Sequence, residues 1–343
     1  LASVLRRRGK HYEIVAGHLS DSRTMDRACA AMRGLCAATR LRRMRVLRVG
    51  DTFAGMGDFQ VNEETLEAML GVHVDQIQPE ALLDLVNQVT EADIDQELLA
   101  DQEAFEVDVD PCVHRRSVRL GLGLRSYLDA RGYGAFSMNF LAFDIEDGPL
   151  ATVPFLECSK AMARGVGYAG EGDVLTAALT GALGAAIGPT TFTEMFCPDW
   201  ESGAVFISHM GEFNPAVAAA KPRLYEKPFP FTRTNNPAAL ACAPRPGKAT
   251  LVTLAPGPDD SFKLIVVPVE VLGDGTHPDY RDWIRGWLKP ELPLPSFLES
   301  YSRHGGTHHC ALMFGDFRSE LLSFARVSGF DAAVIDGRET HNE

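Results

Sequence analysis

Long apolar runs and paired cysteine motifs are absent from this sequence. No stretch of about 18 or more consecutive apolar residues occurs, which argues against a membrane span. The seven cysteines form no C-x-x-C pair, so we expect reduced thiols in a cytoplasmic protein. The first residues carry a basic cluster with no long apolar run behind it, and we therefore expect no signal peptide.

Positive charge is also scarce. The chain has 33 Lys and Arg against 46 Asp and Glu, a net charge of −13. This balance argues against nucleic acid or an anionic membrane as a partner and fits a protein that handles small molecules. A complete G-x-G-x-x-G after a strand is missing as well. The string Gly121-Leu122-Gly123 lies inside a predicted helix, so a nucleotide site is not favoured.

The 343 residues suffice for two or three domains. A helical pattern over 21–39 lies between predicted strands at 12–18 and 45–49, and this β-α-β order is typical of a parallel sheet. After Phe192, short alternating strands separated by Pro and Gly dominate, with a helix predicted at 279–287. We therefore predict an α/β fold: a parallel, Rossmann-like α/β domain followed by a β-rich antiparallel α+β domain.

Two glutamates lie in contexts that suit a ligand site. Glu171 has glycine on both sides, which allows a tight turn and a close approach of a ligand. Asp173 is predicted to cap the helix at 174–186. Glu194 follows Phe192 in an apolar string, where a carboxylate is either partly buried and paired or directed into solvent.

Three histidines are further candidates. His209 ends an apolar strand at 204–208, and its alternative interpretation is a hydrogen-bonded core residue. His308 and His309 follow two glycines. Neighbours on an extended segment point to opposite sides, so only one of the pair is expected to join a given site.

Together, two carboxylates and two imidazoles at separate element ends predict a mixed oxygen and nitrogen metal site. Such donors favour a hard or borderline divalent ion, Mn²⁺, Mg²⁺ or Co²⁺, over a thiolate zinc site. An ion of this kind binds two adjacent oxygens of a polyol while a carboxylate moves a proton between neighbouring carbons. That chemistry is aldose–ketose isomerisation through an enediol.

Several strings of this sequence resemble the L-arabinose isomerase family, within the wider arabinose/fucose isomerase group. The matches are collinear and run from about His11 to Asp336. The strings are R-V-G-D at 48–51, A-F-S-M-N-F at 135–140, G-Y-A-G-E-G-D at 167–173, S-H-M-G-E-F-N-P at 208–215 and G-G-T-H-H at 305–309.

The resemblance implies a Mn²⁺ site, with Co²⁺ or Mg²⁺ as alternatives, and a reference reaction from L-arabinose to L-ribulose. It places the metal ligands at Glu171, Glu194, His209 and His309, and the acid/base pair at the two glutamates. It places the substrate-binding residues at Phe53, Phe140 and His308. It also implies an aldose or ketose as the small-molecule partner and a homo-oligomer, a hexamer in the family.

The sequence also departs from the family. The family has an N-terminal α/β domain ahead of the point where this chain begins, and no segment here replaces it. We therefore interpret 1–45 as a remnant of that domain or a linker from it, 46–190 as the central α/β domain, and 191–343 as the β-rich domain, with the ligands at the interface. The family's aspartate after the second glutamate is Met195 here, and the Pro-rich stretch 221–246 is unlike the family.

Two other functions stay open from the residues. The missing domain motivates a non-catalytic sugar- or metal-binding homologue of the isomerases. A metallohydrolase would use the same ligands to activate water, but a compact signature such as H-E-x-x-H is lacking.

Overall fold

The computed structural model describes residues 1–274 and 280–337. Its helices are α1 (Ala2–Arg7), α2 (Ser22–Leu41), α3 (Glu63–Thr65), α4 (Leu83–Gln88), α5 (Glu91–Ala104), α6 (Pro111–Arg131), α7 (Phe155–Ala163), α8 (Val174–Ala186), α9 (Leu294–Arg303) and α10 (Arg318–Ser328). Its strands are β1 (Arg45–Val49), β2 (His73–Ile77), β3 (Glu106–Asp108), β4 (Ala135–Met138), β5 (Gly167–Gly170), β6 (Thr190–Asp199), β7 (Ala204–Ser208), β8 (Arg223–Glu226), β9 (Ala238–Ala241), β10 (Gly247–Pro256), β11 (Phe262–Val271), β12 (Gly286–Pro290), β13 (His309–Met313) and β14 (Asp331–Val334).

The first half of the chain builds a four-stranded parallel sheet in the order β2-β1-β4-β5. Helix α8 packs on this sheet and also contacts the strand that follows it, β6. Side chains after the carboxyl ends of β1, β4 and β5 lie at one edge of the sheet, where α/β proteins bind ligands. Phe53, Phe140 and Glu171 come after those three strand ends.

The second half builds a barrel. Its strands follow the order β10-β13-β6-β7-β12-β11, and a pairing of β10 with β11 closes the circle. The pairs within the circle are antiparallel, and β14 adds to β11 in parallel outside it. The predicted combination of a parallel α/β domain and a β-rich, mainly antiparallel domain is thus confirmed.

Alternate residues of the barrel strands face two different cores. Cys310 and Leu312 of β13 join an apolar cluster with residues of five other strands and of α9. Ala311 and Met313 join the large core that also contains α8 and the parallel sheet. His309 has the same parity as Ala311, so the period of two along the strand directs it toward the parallel domain.

The Pro-rich stretch at 221–246 forms part of a small third sheet in the order β3-β8-β9. The turn between β8 and β9 carries Phe229 and Phe231, whose rings lie 5.8 Å from that of Phe140. The stretch that differs from the family therefore adds aromatic side chains near the carboxyl edge of the parallel sheet.

Two predicted elements are wrong. Residues 12–18 form no strand: the segment lies along α2 and α10, where Glu13 pairs with Arg326 and Arg27 donates to the Ala16 carbonyl. Of the helix predicted at 279–287, position 279 lies outside the described residues, and positions 281–284 are turns and an isolated bridge that lead into β12. In β12, pairing of Gly286 with Ile207 overrides the local helical pattern.

Among the described residues, no helix combines the length and the apolar character that a membrane crossing requires.

Candidate metal centre

Glu171 lies in a strained turn between β5 and α8. Its φ is +64°, in the left-handed region that residues other than glycine rarely adopt, at a cost of about 1–2 kcal/mol. The Phe53 N–H donates to the Glu171 carbonyl oxygen at 2.9 Å. Gly172, at φ +80°, brings the turn so close that a Cβ there would lie 2.7 Å from Thr52 Cα. Such strain is retained where the surroundings require one orientation of a side chain, as at a ligand site.

Glu194 and His309 come from neighbouring barrel strands. They are direct partners in the antiparallel pairing of β6 with β13. Residues directly opposite on one face have their Cβ atoms about 4.5–5.5 Å apart, which brings the two side chains together. The pairing of β6 with β7 shifts in register just after Glu194, between Met195 and Cys197. Bulges of this kind often reorient strands beside active sites.

His209 follows β7 and is buried against the end of β5. A Cβ on Gly170 would lie 2.5 Å from His209 Cε1. Only glycine at position 170 therefore admits the imidazole ring where it stands. Strand β5 thus contributes both the glycine that admits His209 and the turn that holds Glu171.

The four predicted ligands lie in two groups that share His309. Donor atoms of Glu194, His209 and His309 lie within 4.8 Å of one another, and so do those of Glu171, His308 and His309. His309 Nε2 and Glu171 Oε2 are 3.6 Å apart. Chain segments more than 100 residues apart therefore meet at one point between the two halves of the fold.

Three buried atoms at this point have no hydrogen-bond partner within residues 1–274 and 280–337. They are Glu171 Oε2, His209 Nε2 and His309 Nε2. Leaving a buried polar atom unpaired costs about 1–3 kcal/mol, so such atoms are rare without a function. One carboxylate oxygen and two imidazole nitrogens form a donor set that suits a divalent ion. The residues present therefore fit a metal ion.

Nδ1 of each of the two predicted ligand histidines contacts a buried carboxylate. His209 Nδ1 lies 2.8 Å from Glu212 Oε2, and His309 Nδ1 lies 3.1 Å from Asp173 Oδ2. An ionised carboxylate only accepts, so each ring donates from Nδ1 and presents Nε2 to the centre. Histidines that bind metals are typically held in this way.

Sequence reasoning missed these two carboxylates as site residues. Asp173 was predicted only as a helix cap, and it is one: its Oδ1 accepts from the Thr176 N–H at 2.8 Å. Its second oxygen binds His309. Glu212 stands three residues after His209 in the S-H-M-G-E string, and that spacing was the available signal. Phe59, which stacks on the His309 ring at a centroid distance of 4.7 Å, left no signal in the sequence.

The surroundings shift several pKa values. Burial raises the pKa of the Glu171 carboxyl; His209 and His308 lower it and Glu212 and Asp173 raise it, and the net shift is upward. Burial alone would lower the pKa of His209, but the Glu212 carboxylate, followed by Glu194 and Glu171, raises it. Burial would raise the pKa of Glu212, and His209 and Tyr168 lower it. Burial lowers the pKa of His309. A centre that favours a proton on His209 has excess negative charge, which a cation would neutralise.

His308 differs from its prediction. It sits in a bend before β13, and its ring lies 4.3 Å from that of His309. The expectation that only one of the two histidines joins a given site is therefore wrong, because the backbone is not extended at His308. Asp58 accepts from the His308 backbone N–H at 3.0 Å and lies 2.7 Å from its Nδ1.

Phe53 and Phe140 are in contact beside Glu171, with ring centroids 5.5 Å apart. Phe140 is buried, Phe53 is half-buried, and Phe231 behind them is 52% exposed. The carboxyl edge of the parallel sheet thus has an aromatic surface near the Glu171 turn. The substrate-binding role of Phe53 and Phe140 stays a prediction.

Comparisons with known proteins give one consistent family. Residues 45–186 match the family model described as the L-arabinose isomerase central domain, and residues 189–331 match the model for its C-terminal domain. The chain is 28% identical to an L-arabinose isomerase of Mycolicibacterium smegmatis, over 96% of this chain and 67% of the relative. It is 29% identical to that of Nocardioides sp., over 99% and 69%, and 30% identical to that of Clostridium beijerinckii, over 94% and 66%. The chain thus spans about two thirds of the length of these relatives.

Proposed function

The chain belongs to the L-arabinose isomerase family, and we propose that it is a metal-dependent aldose–ketose isomerase with L-arabinose to L-ribulose as its reference reaction. The observation that carries this proposal is the convergence of Glu171, His209 and His309 through buried atoms without partners. An unpaired donor set of this kind, in a sugar isomerase family, is best explained by an ion that grips the sugar.

Four residues are proposed to hold the ion: Glu171, Glu194, His209 and His309. Mn²⁺ is the proposed ion, with Co²⁺ or Mg²⁺ as alternatives that the same donors accommodate. When bound, the ion would stabilise negative charge on the two adjacent sugar oxygens. The chain's own part is to present Nε2 of both histidines and to keep the donors away from bulk water.

The two glutamates are proposed to move the proton. In the forward direction a carboxylate takes the proton from C2 of the open-chain aldose, giving the enediolate form of the enediol, with the negative charge on O1. The proton then returns to C1 while the O2 hydroxyl proton is lost and O1 gains one, which leaves the ketose.

The substrate side is proposed to consist of Phe53, Phe140 and His308. The aromatic rings would pack against carbon atoms of the sugar, and His308, oriented by Asp58, would donate to or accept from a hydroxyl. The domain limits at 45/46 and 190/191, a cytoplasmic location and a hexameric homo-oligomer stay predictions.

The test is a ketose assay on purified protein with L-arabinose, with Mn²⁺ and with a chelator. We expect turnover with Mn²⁺ and none after chelation. Glu194→Gln should lower kcat at least about 100-fold, since general acid–base groups contribute that much or more. Glu201→Gln, an exposed glutamate on the turn after β6, is the matched control and should keep the wild-type rate.

Failure of the assay would be informative. Retained Mn²⁺ binding without turnover on any of several aldoses would favour the non-catalytic homologue. Near-normal activity of Glu194→Gln would refute the role given to this carboxylate.

A further inference from the structure

Hydrogen bonds link three buried side chains in series: Tyr168, Glu212 and the proposed ligand His209. Tyr168 Oη donates to Glu212 Oε1 at 2.7 Å, and Glu212 Oε2 accepts from His209 Nδ1 at 2.8 Å. Tyr168 is fully buried, and Glu212 and the His209 side chain are each only 1% exposed. We infer that Glu212 and Tyr168 are positioning residues: Glu212 fixes the tautomer and ring orientation of His209, and Tyr168 fixes Glu212.

The geometry excludes a direct role for Glu212 as a ligand in this arrangement. Both of its oxygens are engaged, one by a hydroxyl and one by the imidazole. What remains free is His209 Nε2 on the far side of the ring. Because the Nδ1 proton is committed to Glu212, the lone pair must be on Nε2 when the ring is neutral, and it points to the centre.

Glu212 needs Tyr168 as well as His209 as a partner because its carboxylate is buried. Phe192 lies edge-on to His209 at a centroid distance of 4.6 Å and edge-on to Tyr168 at 5.8 Å. These contacts hold the rings at the two ends of the hydrogen-bonded series, and Phe192 itself offers no hydrogen bond to either of them. Without the Tyr168 hydroxyl, Glu212 Oε1 would be buried and unpaired, and its carboxylate would be free to rotate away from His209.

The pair that holds His309 is less suitable for a test. Asp173 binds His309 with one oxygen and caps α8 with the other, so a change there would also weaken a helix. Glu212 lies outside the helices and strands. Its effect on the ion site is therefore separable from an effect on secondary structure.

The experiment measures Mn²⁺ affinity by titration with detection of free Mn²⁺ by electron paramagnetic resonance. We expect Glu212→Gln to weaken binding about 10- to 100-fold, the usual effect of losing an outer carboxylate. Tyr168→Phe, which removes only the hydroxyl, should weaken it about 3- to 10-fold, as expected for one buried hydrogen bond. The visible absorption of the Co²⁺-loaded protein should change in both variants, because the imidazole ligand is no longer held in one orientation.

Matched controls come from the same chain. Glu157→Gln removes a buried carboxylate that pairs with Arg125, and Tyr133→Phe removes a hydroxyl that donates to Asp75 at 2.9 Å. Both should keep wild-type affinity and an unchanged Co²⁺ spectrum. Wild-type affinity and spectrum in Tyr168→Phe, or in a folded Glu212→Gln, would overturn the inference, and Tyr168→Phe decides it alone if Glu212→Gln does not fold.

The inference rests on the proposed ion site, and the two fail differently. If the wild-type protein binds no Mn²⁺ or Co²⁺, the ion site itself is refuted. If the wild type binds the ion and Glu212→Gln and Tyr168→Phe bind it equally well, only the positioning role is refuted.

Discussion

At the scale of single residues, the position of the His209 ring depends on glycine at position 170, which has no side chain. Gly170 leaves the space that the His209 ring occupies, since a Cβ would lie 2.5 Å from Cε1 and 3.0 Å from Nε2. We predict that Gly170→Ala displaces this ring. The free energy of unfolding should fall by about 1–3 kcal/mol, as in other overpacked interiors, and Mn²⁺ affinity should fall with it. Denaturant titration and a Mn²⁺ titration measure the two effects.

The control is Gly273→Ala. Among residues 1–274 and 280–337, nothing lies within 4 Å of a Cβ placed at Gly273, so stability and Mn²⁺ affinity should both stay near wild type. Wild-type affinity in Gly170→Ala would mean that the position of His209 does not matter for ion binding.

Residues of the site differ in how far the sequence predicts them. Glu171, His209 and His309 stand in strings that resemble a known family, and the structure places these residues and Glu194 in two groups that share His309. Glu212 stands in one of these strings, but its role was not predicted, and Asp58 and Phe59 stand in none of them. The roles of all three depend on which ring each one meets after folding. The prediction of an extended backbone at His308 was wrong. The chain bends there, and Asp58, which lies far away in the sequence, contacts both the backbone and the ring of His308.

At the scale of elements, an ion-pair network ties α5, α6 and α7 together. Glu97 accepts from Arg125 at 2.6 Å and 3.1 Å and from Lys160 at 2.7 Å. Burial alone would raise the pKa of Glu97, but Arg125 and Lys160 lower it to about 2. A carboxyl whose pKa is lowered by folding stabilises the fold above its ordinary pKa of 4.5, and this contribution is lost as the pH falls toward 2.

We therefore predict that Glu97→Gln lowers the free energy of unfolding by about 2 kcal/mol at pH 7, and by progressively less below pH 4.5. Urea titrations at pH 7, 5, 4 and 3 measure the difference from wild type. Glu103→Gln, an exposed residue of the same helix, should change little at any pH. A difference for Glu97→Gln that is the same at pH 7 and pH 3 would contradict the assigned pKa.

Elements with a clear period and clear boundaries were predictable. Helix α8 occupies the predicted 174–186, with Asp173 as its cap, and β1 occupies the predicted 45–49. The apolar segment 12–18 has a strand-like composition but pairs with no strand, and β12 forms because β7 offers it an edge. In both cases the presence or absence of a partner strand determined the secondary structure, and the local sequence does not contain that information.

At the scale of the whole molecule, the proposed ion site lies between the two halves of the fold. Glu171 comes from the parallel sheet, and Glu194, His209 and His309 come from the barrel strands or their ends. An ion that binds only the folded chain would therefore stabilise both halves together. We expect thermal unfolding to shift to higher temperature with saturating Mn²⁺, by an amount that grows with the ratio of free ion to Kd.

The most direct test of the account is a Mn²⁺ binding isotherm on the wild type and on ligand variants. We predict one ion per chain, with affinity reduced at least about 100-fold, beyond the usual loss of an outer carboxylate, in Glu171→Gln, His209→Gln and His309→Gln. His73→Gln, on the exposed strand β2, should bind as the wild type does. Absence of stoichiometric binding in the wild type, or wild-type affinity in the three ligand variants, would contradict the claim that these side chains share a single cation.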